Sequence, residues 1–472
     1  MTDFLLILFG VLVIAPLLKT MGKPERIYRY PYFMTVVFGV FILPQAVSLI
    51  RFPGAASEEA LQRLLLVTCL CLGACLVGYR FSLPFRVGGS GAVNHGRLFH
   101  AGIAFVASGI GFSYLLSHTV VQTTEFGGWT GPATIYGFFQ QLCYPGFAIC
   151  LMLALRRPTL LTFSSTVVSA IVPIQSIFFG RREPAALFLL TVGLTLYFRT
   201  RVVPPRWLII CLGVGAMFLI PATGSYRRFQ LQDDWQAVRQ LDVVSNFKDF
   251  LDEDSVLELR NAAMLIEATR RSGEYEYGAG YWNHLMFRYV PAQLLGQSFK
   301  AFLMISRSRE GLERELAAMD YINPPGSTVT AMGDSFQQFG YFGCLFFAVL
   351  GIFFHCLWRA AFSPNALFAQ LLYMQSCTCA MRAVTHWTLD FLPGLLYNLL
   401  FLGAAMVYAS AEKPKVATGP SARGELRRVS GRRSESRRRG HLRGAGKRPV
   451  QAPWNCCPTK DCPIPAATRP PQ

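Results

Sequence analysis

Apolar stretches of transmembrane length recur through most of this chain, and no other feature constrains its fold as strongly. A hydrocarbon core about 30 Å thick is crossed by a helix of about 20 apolar residues, whose backbone donors and acceptors pair within the segment. Phe4–Leu18, Pro31–Ile50, Gln62–Gly78, Leu98–Leu116, Ala133–Leu155, Leu160–Phe179, Pro184–Phe198, Trp207–Ile220, Phe339–Trp358, Asn365–Met381 and Phe391–Tyr408 each read as such a span. With 52% hydrophobic and only 15% charged residues over 472 positions, no water-soluble core absorbs these stretches. The expected fold class is all-α: a polytopic integral membrane protein of about eleven transmembrane helices, with one large external helical loop and a disordered basic C-terminal tail.

Orientation follows from the excess of Lys and Arg in cytoplasmic connections. Lys19–Arg29, Arg80/Arg86/Arg97, Arg156/Arg157, Arg199/Arg201/Arg206, Arg359 and the tail fall on alternate connections, which puts them in the cytoplasm and the amino terminus outside. The first stretch follows no charged segment and precedes no small-residue cleavage site, so it reads as a retained span. The chain then divides into amino-terminal spans (1–221), an external loop (222–337), closing spans (338–410) and a basic tail (411–472).

The external loop carries Asp233-Asp234, Asp249 and Asp252-Glu253-Asp254, with helical apolar spacing at Val256, Leu257 and Leu259. Within it, His284–Met304 is amphipathic around Arg288 and suits a helix on or in the membrane surface. The D-x-D spacing at 252–254 reads as a charged helix start, because nucleotide sugars lie on the other side of the membrane. The tail, with Arg427-Arg428, Arg432-Arg433 and Arg437-Arg438-Arg439, is drawn to anionic lipid by about 1 kcal/mol per charge, and its membrane tether argues against nucleic acid as its partner. The thirteen cysteines imply neither a disulfide framework nor a zinc site, since no histidine follows Cys456-Cys457 and Cys462 at ligand spacing.

Four constellations could carry chemistry, and each has a structural alternative. Phe179-Gly180-Arg181-Arg182-Glu183-Pro184 places two arginines on the side that the charge rule disfavours; they suit phosphate oxygens, or form a solvated hairpin eased by Glu183. Tyr275–Trp282, including Tyr277 and Tyr281, offers aromatic faces for sugar rings with Arg288 nearby, or an interfacial aromatic belt. Asp334, in the run Gly326–Gly343, is a candidate general base at the membrane edge, or a helix cap together with Ser327 and Thr330. Arg382, His386 and Asp390 share one face if the helix continues, as a catalytic stripe or as a polar network.

Taken in order, these elements resemble the O-antigen (Wzy-type) polymerase and oligosaccharide repeat-unit polymerase family. The likeness rests on the external Gly180-Arg181-Arg182-Glu183 turn, the Tyr277-Gly278-x-x-Tyr281 and Arg288-x-x-Pro291 motifs of the late loop, and Gly333-Asp334-Ser335-Phe336-Gln337-Gln338-Phe339-Gly340-Tyr341-Phe342-Gly343 before the closing spans. It covers residues 170–345 by motif and the rest by hydropathy. It implies an enzyme of a bacterial inner membrane: a metal-independent, cofactor-free glycosyltransferase that joins undecaprenyl-pyrophosphate-linked oligosaccharides outside the cytoplasm, with a chain-length regulator as a possible partner. Arg181 and Arg182 would then hold the leaving pyrophosphate, Arg288 a second anionic group, Tyr277 and Tyr281 sugar faces, and Asp334 or His386 the acceptor's proton. The chain departs from the family at Asp334, where many relatives carry Glu, and in its long basic tail. An O-antigen ligase shares most of these features; a lipid-linked sugar transporter would more naturally show paired halves and midplane charges.

Overall fold

A computed structural model describes residues 1–83, 93–123, 129–231, 236, 242–252, 258–324 and 327–410. Arg86, Asp233-Asp234, Glu253-Asp254, Val256, Leu257, Gly326 and the 411–472 tail, with its arginine runs and cysteines, lie outside the described residues.

Among the described residues, nine helices are long and apolar enough to cross a membrane. They coincide with nine of the stretches read from hydropathy, from Thr2–Gly22 to Thr388–Ala409. The other two expected spans are also helices, Arg182–Thr200 and Leu367–Thr385, but each is too polar to count by composition. Packing explains the second. Gln370, Gln375, Ser376 and Thr378 of Leu367–Thr385 are all buried, so its polar groups face protein instead of lipid. The opposite case is Arg206–Tyr226, only 6% buried and mean hydropathy 2.0, which is apolar on the surface that lipid would cover.

Close helix contacts depend on small residues. A Cβ on Gly78 would stand 2.6 Å from Ala348 Cα, and one on Gly351 would stand 2.7 Å from Tyr79 N. Glu58–Gly78 and Leu345–Ala360 therefore meet backbone to backbone, the usual solution where no hydrophobic drive separates helix from lipid.

The loop segment does not stand apart from this bundle. In Glu258–Ser272 every residue from Leu259 to Thr269 is buried, and the helix packs on Glu58–Gly78 and Thr330–Phe339. Three of its interior polar side chains find partners across the bundle. Arg260 Nη2 donates to Phe52 O at 2.8 Å, Glu267 pairs with Arg63 and Arg271, and Asn261 Nδ2 donates to Ser327 Oγ and Thr328 O at 2.8 Å each. The last pair of bonds holds Thr328, whose own hydroxyl donates to Thr385 O at 3.2 Å and so ties the loop to the end of Leu367–Thr385.

Candidate functional site

The arginine hairpin is built by one glycine and one proline. Gly180 has φ +67°, a conformation that costs other residues a steric penalty, and it reverses the chain between Leu160–Phe178 and Arg182–Thr200. Pro184 sits in the first turn of the second helix, where its missing N–H has no intrahelical partner to lose. Arg181 and Arg182 thus stand at a helix N-terminus, the positive end of its dipole, which disfavours cations unless an anion joins them. Among the described residues neither has a carboxylate at ion-pair distance.

A second element facing them is a broken helix. Pro132–Gln140 and Cys143–Arg156 are separated at Gln141-Leu142, because Pro145 cannot donate the bond that would bring Gln141 O into the helix. Gln141 Oε1 accepts from Arg288 Nη2 at 2.8 Å. Arg288 and His284 lie four residues apart on the Ala279–Tyr289 helix and share a face. Burial and the neighbouring Arg382 hold the Arg288 guanidinium below its ordinary pKa, and its Nε is enclosed with no hydrogen-bond partner.

The third element is the junction between the last two helices. Leu367–Thr385 ends one residue before His386, and Asp390 belongs to a separate turn, Thr388–Asp390, that starts Phe391–Ala409. Arg382, His386 and Asp390 therefore do not share a continuous helical face, contrary to their spacing. They meet all the same. Arg382 lies 3.2 Å from Asp390 Oδ2 and 3.4 Å from Glu183 Oε1, while His284 Nε2 and Asp390 Oδ1 are 2.9 Å apart.

These elements enclose a cavity of 1130 Å³. Four arginines (Arg181, Arg182, Arg288 and Arg382), two histidines (His284 and His386) and three carboxylates (Glu183, Glu258 and Asp390) line it. Burial raises the pKa of Glu258, with Arg182 opposing. Three of the arginines, Arg181, Arg182 and Arg288, keep donors uncommitted to any carboxylate, and a guanidinium fork suits phosphate oxygens.

Of the residues singled out in sequence, Arg181, Arg182, Arg288 and His386 converge here, and Asp334, Tyr277 and Tyr281 do not line the cavity. Asp334 is only 1% exposed; its Oδ2 accepts from the Thr388 hydroxyl and from Leu389 N at 3.2 Å. It holds the turn that presents Asp390, and its Oδ1 is buried without a hydrogen-bond partner. Tyr281 is stacked near Phe339 and Phe346, with its hydroxyl 2.8 Å from Thr388 Oγ1, so it belongs to the same support. Tyr277 is 61% exposed and lies under the Arg307 guanidinium at 5.3 Å. Gln141, Glu258 and the pairing of His284 with Asp390 were not visible in the sequence reading. No protein-family model, curated protein or solved structure matches the chain.

Proposed function

We propose that this chain polymerises undecaprenyl-pyrophosphate-linked oligosaccharide repeat units into a surface polysaccharide, an O-antigen, capsule or exopolysaccharide. The transfer would invert the anomeric centre at the outer face of a bacterial inner membrane. The observation that carries this reading is the meeting of Arg181, Arg182 and Arg288, free of carboxylate partners among the described residues, with His284 and His386 in one cavity. Its 1130 Å³ exceeds the range of about 300–1,000 Å³ typical of small-ligand pockets and suits a sugar diphosphate.

In this mechanism a hydroxyl oxygen of the acceptor unit attacks the anomeric carbon of the growing chain from the face opposite the pyrophosphate. A new C–O bond forms, the C–O bond to pyrophosphate breaks, and the electron pair leaves with undecaprenyl pyrophosphate. Negative charge grows on that leaving group, where Arg181 and Arg182 stabilise it more than in the ground state. The hydroxyl proton passes to an imidazole. His386 is one acceptor; His284 is another, because an Asp390 carboxylate takes Nε2–H and leaves Nδ1 with its lone pair.

The test is the surface-polysaccharide ladder in cells with the gene deleted, restored, or restored as Arg181→Ala or Arg182→Ala. Loss of the ladder with a single repeat unit still attached to lipid A–core supports the polymerase. Each variant should abolish the ladder at unchanged protein abundance. Absence of any attached unit favours an O-antigen ligase or a transporter, and an unchanged ladder overturns the assignment.

A further inference from the structure

A second cavity, of 280 Å³, lies at the opposite end of three helices that build the first. Pro145 lines one cavity and Arg156 the other, about 16 Å apart at 1.5 Å rise per residue. Arg182 and Arg199 stand in the same relation, about 25 Å apart along Arg182–Thr200. On Leu367–Thr385, Gln375 and Arg382 line the first cavity and Gln370 the second. The separation along Arg182–Thr200 approaches the thickness of a hydrocarbon core, and the arginines of the two cavities stand at opposite ends of that helix, which places the cavities toward opposite faces of the membrane.

The wall of the second cavity is cationic, with Arg156, Arg157, Arg199 and His95 around Gln370. Among the described residues no carboxylate lies at ion-pair distance from any of the three arginines. Two of the guanidinium planes are held in place. Arg156 Nη2 donates to Gln370 Oε1 at 3.4 Å and Arg199 Nε donates to Leu155 O at 3.2 Å, each of which uses one of five N–H donors. His95 Nδ1 is shielded from solvent and has no hydrogen-bond partner. A bias of Lys and Arg toward one membrane face accounts for the sign of this charge but not for its concentration in a concave site, where like charges repel unless an anion joins them. The volume falls below the range of about 300–1,000 Å³ for drug-sized ligands, which suits a headgroup-sized anion.

We propose that this cavity binds a phosphate-bearing group through Arg156, Arg157 and Arg199, with His95 completing the wall. An anionic phospholipid headgroup and a soluble phosphate compound share the chemistry, and the proposal does not depend on the reaction assigned to the first cavity.

The experiment uses the full chain purified in detergent, with binding read by native mass spectrometry for phosphatidylglycerol against phosphatidylcholine, and by calorimetry for inorganic pyrophosphate. Variants are Arg156→Gln with Arg199→Gln, the single exposed change Arg157→Gln, and Arg181→Ala with Arg182→Ala as a control for the first cavity. Loss of one charge-assisted contact weakens binding by about tenfold. Retention of phosphatidylglycerol that falls about tenfold in Arg157→Gln, falls further in the double variant and survives in the control identifies a lipid headgroup. The same pattern with pyrophosphate alone identifies a soluble ligand. Equal binding by wild type and Arg157→Gln, or loss confined to the first-cavity control, overturns the proposal, and Arg157→Gln keeps the test decisive if the double variant does not fold.

Discussion

Asp390→Asn removes the charge that holds the first cavity together while it keeps the shape of the side chain. Asp390 is 11% exposed and is shared between His284 at 2.9 Å and Arg382 at 3.2 Å. Without it, Arg382 keeps only Glu183, at 3.4 Å and on a carboxylate that is 35% exposed, while Arg288 remains a neighbouring like charge. Removal of one partner of a buried ion pair costs about 3–5 kcal/mol, and with Arg382 itself 29% exposed the cost falls to about 2–3 kcal/mol. Scaling the size trend of unfolding entropy to a chain this long gives roughly 1–2 °C per kcal/mol, hence a fall in Tm of about 2–6 °C. Scanning fluorimetry in detergent at one fixed scan rate measures it, since the unfolding of such a protein is rate-dependent. The double variant Asp390→Asn, Arg382→Gln removes the stranded guanidinium, leaves only the partly exposed Glu183 without its partner, and should recover part of the loss. If Asp390→Asn melts with the wild type, or if the two single losses simply add, the network does not have the energetic role that its geometry implies.

Three further outcomes follow from particular contacts. Asp334→Asn keeps an acceptor for the Thr388 hydroxyl and the Leu389 amide, so it should retain most of the ladder, whereas Asp334→Leu leaves the Leu389 amide unmatched and the Thr388 hydroxyl with only Tyr281, and costs about 1–3 kcal/mol; an inactive, stable Asn variant would favour the base role. Gly351→Ala forces a methyl toward Tyr79 N and Cys75 O and should destabilise by about 1–3 kcal/mol, read as a lower Tm; a neutral result would mean that the two helices separate freely. For Glu258, burial raises the folded pKa, so its stabilising contribution is complete below the ordinary carboxyl value and is lost as pH rises through the raised one. Glu258→Gln should therefore match the wild type in Tm near about pH 4 and exceed it near about pH 7, and the opposite sign at neutral pH would show that pairing with Arg182 outweighs burial.

The helices were legible because lipid-length apolar runs leave little choice of backbone; nine of the eleven expected spans are helices of membrane-crossing length and composition among the described residues, and the other two are helices too polar to count, one of which buries its polar residues in the bundle. Convergence was harder to read. The spacing of Arg382, His386 and Asp390 suggests one helical face, yet no proline or glycine between them marks where the helix stops. What stops it is distant in sequence: the Thr328 hydroxyl donates to Thr385 O, and Asp334 accepts from the Thr388 hydroxyl and the Leu389 amide. The part that Asp334 takes in shaping the turn has no mark in the local sequence.

Some of the missed wall had a signal. Gln375, Thr378, Cys379 and Arg382 recur at helical spacing along a single face of Leu367–Thr385, and all four line the cavity. A polar stripe of that period inside a lipid-length segment predicts a protein-lined space on that side, because lipid would leave its donors unmatched. Gln140-Gln141 four residues before Pro145 is a weaker sign of the same kind, a polar pair at a point where the helix is weakened. Glu258 and His284 had no such mark. Their place depends on how the loop folds back onto the bundle, through Asn261 holding Thr328 and through His284 reaching Asp390. Such contacts between residues dozens to more than a hundred positions apart follow from packing and not from local pattern, so the arginines, Glu183 and Asp390 could be named from the sequence while Glu258 and the pairing of His284 with Asp390 could not.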